Sequence, residues 1–130
     1  MDAEALMISD NSVVVPMPPS TNTLFLNIPG RGRIKNKKYR EWQLEAIPVI
    51  REKLDKYEGE VTIRYVLHLG SSFRGDISNR IKAAEDAIVE AGVIEGDTHR
   101  TVAEFSVHRQ YLPKNVKDSY MVIYIYQKEI

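Results

Sequence analysis

The chain has 130 residues, long enough for one domain with a single core, and its 18 basic and 18 acidic side chains balance. That balance argues against a protein that coats nucleic acid through bulk positive charge. The lack of cysteine excludes disulfides and thiolate zinc sites.

Residues 1–11 hold Asp2, Glu4 and Asp10 with no basic residue, the wrong charge for a secretory signal. They read as an acidic extension before a single domain at 12–130. No apolar run approaches the ~18 residues of a membrane span. A cytoplasmic, membrane-free protein is expected.

Residues 12–17 (SVVVPM) read as a first strand, ending in the turn-rich PMPPSTN, with 23–26 a short extension of it. A basic loop follows. A helix is predicted over 38–57, where Tyr39, Trp42, Ala46, Val49, Ile50 and Leu54 recur at helical spacing. Pro48 should kink it or break it in two. Residues 60–69 alternate as a strand, with Val61, Ile63, Tyr65, Leu67 and Leu69 on one face. A second helix is predicted over 78–91 and closed by Gly92, its core face Ile81, Ala84, Ile88 and Ala91. Residues 102–108 and 120–126 read as the last strands, the latter with Met121, Ile123 and Ile125 on one side. The expected fold is α/β (α+β), a mixed sheet with two main helices in the order β-α-β-α-β-β.

Charge is unevenly placed. Residues 31–40 (RGRIKNKKYR) hold six basic residues and no acidic one, whereas Glu85, Asp86, Glu90, Glu95 and Asp97 gather later. Arg31, Arg33, Lys35, Lys37, Lys38 and Arg40 are therefore the candidates for holding DNA phosphates. Arg74 and Arg80 are secondary candidates. A solvated charged loop is the plain alternative.

Residues 74–97 (RGDISNRIKAAEDAIVEAGVIEGD) carry the chemistry. On a helix from Ser78, the side chains of Ser78, Lys82 and Asp86 form a ridge, with Asn79 beside it. Asp76 precedes the helix and Asp97 follows it. Carboxylate oxygens suit a hard cation, and an ammonium nearby can stabilise a phosphate. The bland reading makes Asp76 a partner of the helix dipole, Asp97 a turn residue and Lys82–Asp86 a surface pair worth ~0.3–0.5 kcal/mol. His68, His99 and His108 lack metal-ligand spacing. Tyr111, Tyr120, Tyr124 and Tyr126 read as strand residues rather than base-stacking platforms.

The run RGD-I-SN-RIK-AAED-AI, followed by AGVIEGDTH, resembles the signature segment of the RusA family of Holliday-junction resolvases. PPSTN at 18–22 and the Tyr39-x-x-Trp42 pair are similar too, so the likeness runs over about 13–125. The resemblance implies a homodimer that cuts branched DNA, a four-way junction, with Mg2+ or Mn2+ in its place. Asp76, Lys82 and Asp97 would be catalytic, with Asp76, Asp97 and Ser78 the metal ligands. Asn79 and Asp86 would support them.

Two positions depart from the family pattern. Ser78 stands where the family has a second aspartate, and Gly96 where an acid precedes the last one. A hydroxyl binds magnesium more weakly than a carboxylate, and Ser78 is also a good helix N-cap. Three readings follow: an active nuclease with altered ligation, a weakened one, or a homodimeric binder of branched DNA that does not cut.

Overall fold

The computed structural model describes residues 11–96 and 98–127. Residues 1–10 of the acidic extension and Asp97 lie outside the described residues. The elements are β1 (Ser12–Pro16), β2 (Phe25–Ile28), β3 (Gly32–Lys35), α1 (Lys37–Lys53), β4 (Val61–Leu69), α2 (Ile81–Glu90), β5 (Val102–Tyr111) and β6 (Tyr120–Gln127). Alternation along β4 and β6 gives them a buried face, and α1 and α2 pack on that face in one core cluster. The fold is α+β, as expected, but its order is β-β-β-α-β-α-β-β.

Several local expectations are corrected. Residues 23–26 do not extend β1; a 3₁₀ turn at Thr21–Thr23 separates it from β2. The basic stretch is not a loop. Its first half is β3, paired antiparallel with β2, and its second half opens α1. Gly30 and Gly32, both at positive φ, make that hairpin turn without the strain a side chain would meet. Pro48 neither breaks nor splits α1, which runs unbroken as one helix. A proline lacks the N–H that would bond the Leu44 carbonyl, and Leu44 is 78% exposed, so water can take that carbonyl. The second helix is preceded by a 3₁₀ turn at Ile77–Arg80, so Ser78 and Asn79 lie outside α2.

The main sheet has the order β1-β6-β4-β5, with β4 and β5 parallel and the other neighbours antiparallel. The registers define two ends. Pro16, Leu69, Tyr111 and Tyr120 mark the upper end; Ser12, Val61, Val102 and Gln127 mark the lower. A parallel pair needs a crossover, and α2 supplies it by running back from the upper end to the lower. The small side chains of Ala83, Ala84 and Ala87, all buried, let it lie close against its neighbours.

Candidate functional site

The segment after β4 is stitched to the stretch before β6. Gly70 N–H donates to Ser119 Oγ at 2.7 Å, Ser71 N–H to the Val116 carbonyl at 2.9 Å and Ser72 N–H to the Lys117 carbonyl at 3.2 Å. The Ser72 hydroxyl donates to the same Lys117 carbonyl. Gly75, at φ +94°, then turns the chain into Asp76.

Asp76 occupies the N-cap of the 3₁₀ turn yet makes no capping bond with its side chain. Its exposed carboxylate forms no ion pair or hydrogen bond with the described residues, which leaves both oxygens open to a ligand. Ser78 is exposed two residues on. Asn79 acts through its backbone, its carbonyl accepting from Thr21 Oγ1 at 2.8 Å. Arg80 braces the turn. Its guanidinium donates to the carbonyls of Pro18 at 3.1 Å and Arg74 at 2.9 Å and lies 4.9 Å from the Phe73 ring centroid. Burial lowers its pKa from the ordinary value. Arg74 is exposed and turned back on its own loop, donating to Ser71 and Phe73 carbonyls. Thr21, Phe73 and Ser119 are thus positioning residues that sequence reasoning missed; only the turn-rich PPSTN hinted at the first.

Lys82 and Asp86 form the anticipated i,i+4 pair at 3.1 Å, half-exposed. They lie beside Tyr39 of α1, whose phenol pKa is raised by burial first and then by the Asp86 charge. Lys35 reaches the same hollow, donating to Gln43 Oε1 at 3.1 Å, and Phe25, Tyr39, Asp86 and Glu90 share it. The basic residues of β3 therefore sit next to the Lys82–Asp86 ridge, a neighbourhood their separation in sequence did not reveal.

Most of the remaining cations are exposed. Arg33 lies over the Phe25 ring at 3.8 Å, and Lys37 meets Glu41 at 3.8 Å on a fully solvated face. Lys38 lines a hollow with Ser20, Thr23, Trp42 and Arg80, so the PPSTN turn and the start of α1 share one surface. Arg31 stands in the hairpin turn and Arg40 on the first turns of α1. No acidic residue opens α1, so Lys37, Lys38 and Arg40 add to the positive end of the helix dipole. That arrangement disfavours the free helix and favours a bound anion.

The structure also separates the two acidic segments. Asp76 is at the upper end, whereas Val93 and Thr101 are held at the lower end: Tyr57 N–H donates to the Val93 carbonyl and Val61 N–H to the Thr101 carbonyl, each at 2.8 Å. The ten residues of α2, about 15 Å long, lie between. Among the described residues, no three histidine, aspartate or glutamate side chains converge as a metal cluster. Asp76 and Ser78 still offer the all-oxygen donors that magnesium takes, since it commonly uses one or two carboxylates and fills its shell with water and substrate phosphate.

No protein-family model matches the chain, and no curated protein matches it significantly. No helix among the described residues is long and apolar enough to cross a membrane.

Proposed function

We propose that this chain is a magnesium-dependent, structure-selective endodeoxyribonuclease that resolves four-way DNA junctions, working as a homodimer in DNA recombination and repair. One observation carries the reading. The two segments that resemble the RusA family, 58 residues apart at the bond between them, meet through Thr21–Asn79 and Pro18–Arg80 and hold Asp76 and Ser78 out to solvent. Two separate likenesses that converge on one exposed carboxylate are more than a matching string.

Asp76 and Ser78 would hold the magnesium ion, with Asp97, which lies outside the described residues, the further ligand that the family resemblance implies. When bound, the ion supplies a nucleophilic water at neutral pH and polarises the phosphoryl oxygen. Lys82, held in place by Asp86, neutralises charge on the phosphate. Arg33, Lys35, Lys37, Lys38 and Arg40 grip the backbone without reading sequence.

The test is cleavage of a labelled four-way junction in magnesium, beside a linear duplex of the same sequence. Paired nicks in the junction alone are expected, reduced about 100-fold or more in Asp76→Asn. Equal cutting by that variant would remove Asp76 from the site.

A junction binder that does not cut is the second reading, and the hydroxyl at Ser78 favours it. It calls for tight binding with no nicks in magnesium or manganese. A large gain of cutting in Ser78→Asp would then identify the missing carboxylate.

A further inference from the structure

Successive residues of a strand point to opposite faces of its sheet, and the buried Ile63, Tyr65 and Leu67 of β4 belong to the face that carries the helices. The opposite face of the main sheet is aromatic. Tyr120, Tyr124 and Tyr126 of β6 all lie on it and all are partly exposed. The Tyr120 ring is stacked on His68 of β4, with centroids 4.6 Å apart and planes at 13°. Tyr124 and Tyr126 stand about 7 Å apart along the strand.

Arg64 occupies the middle of this face. It registers with Tyr124 on one side and with Ser106 of β5 on the other. Its side chain makes no ion pair or hydrogen bond with the described residues, and its Nε is buried without a partner. A half-sunk guanidinium with no acceptor costs free energy, and a bound anion would remove that cost. Ser106 and His108, hydrogen-bonded to each other at 3.0 Å, extend the polar surface beside it. Among the described residues, the acid that these strands place on this face is Glu104, out on β5.

We propose that this face binds single-stranded DNA, with bases stacked on the tyrosines and a phosphate held by Arg64. Unpaired DNA alternates flat π-faces with anions, as this face alternates rings with a cation, and four-stranded sheets bind single strands through such rings. A duplex offers no free base faces. A protein partner would need aliphatic surface, and of Val14, Val66 and Val122 only Val14 is exposed, the other two being buried. The helices and the Lys82–Asp86 ridge lie on the other side of the sheet, so this surface is separate from the phosphate grip of β3 and α1. It does not depend on the cleavage chemistry at Asp76.

The test is fluorescence anisotropy of a labelled oligothymidylate of about 16 nucleotides, with EDTA present so that cutting plays no part. Tyr124→Leu, which keeps an apolar strand residue without a π-face, is expected to bind about tenfold more weakly, and Tyr124→Phe to bind as the wild type does. Arg64→Gln should bind more weakly, with a log–log salt slope shallower by about 0.7. Wild-type affinity in both Tyr124→Leu and Arg64→Gln overturns the proposal, as does a wild type that leaves the oligonucleotide unbound. Amide chemical shifts of the wild-type protein serve should a variant fail to fold: changes along β4 and β6 support the site, and changes confined to β3 and α1 overturn it. A wild-type dimer that Tyr124→Leu dissociates would make the face a contact between copies, and would also overturn it. Junctions left uncut in magnesium by a protein that still binds the oligonucleotide through Tyr124 would sink the nuclease reading and leave this one standing.

Discussion

Replacing Gly70 with alanine should be among the most damaging small changes in this protein. A Cβ at that position would lie under 3.0 Å from the backbone carbonyls of Lys117 and Asp118. Backbone cannot rotate away as a side-chain tip can, so residues 70–72 must separate from 116–119. Four hydrogen bonds span that seam: Gly70 to Ser119, Ser71 to Val116, and Ser72 twice to Lys117. At about 0.5–1.5 kcal/mol each, partial loss puts the cost at roughly 2–4 kcal/mol. For a domain of this size that lowers the melting temperature by roughly 8–15 °C. Gly96→Ala is the matched control, since a Cβ there meets open space and the backbone is not at positive φ, and it should change stability by less than about 0.5 kcal/mol. Urea unfolding of both variants provides the measurement. A Gly70→Ala protein as stable as Gly96→Ala would show that the seam does not hold the Asp76 loop.

Arg40→Glu should move stability and binding in opposite directions. It replaces a cation at the start of α1 with an anion, adding ~0.5–1 kcal/mol of stability in chemical denaturation. Junction binding should weaken, with the salt dependence shallower by about one phosphate contact; an unchanged salt slope would place Arg40 off the DNA path. Tyr39→Phe should match the wild type at pH 7 and outlast it in alkali. The folded phenol titrates above its ordinary value of 10.0, so the unfolded chain ionises first. Its stabilising contribution is complete below about pH 10 and is lost as pH rises through the folded value. Identical alkaline unfolding curves would refute this. Trp42→Phe loses the indole bond to the Pro16 carbonyl at 2.8 Å and should cost about 1 kcal/mol in the same denaturation assay.

The strands β4 and β6 were legible because one face of each is buried and the alternation is clean. The β2–β3 hairpin was not, since Arg33 and Lys35 interrupt any apolar pattern and the stretch reads as solvated charge. The helix at Lys37–Lys53 was visible in its core spacing, but its continuity through Pro48 depends on whether the freed carbonyl reaches water, which a sequence does not state. For the site, Asp76, Ser78 and the Lys82–Asp86 pair could be picked out by position and spacing. Their relation to the region after α2 could not, because it follows from β4 and β5 being parallel neighbours. The bracing by Thr21 and Arg80 likewise depends on backbone carbonyls, which carry no signature in residue type.

The strand order has a consequence for synthesis. β6 is among the last elements made, yet it lies between β1 and β4 and is the sheet partner of β1. While the ribosome is still translating, β1 has no neighbour to join and the apolar face of β4 lacks one of its two flanks. The domain can therefore close only after residue 120 has left the exit tunnel, and a nascent chain stalled before that point would present an unpaired hydrophobic strand to chaperones and proteases.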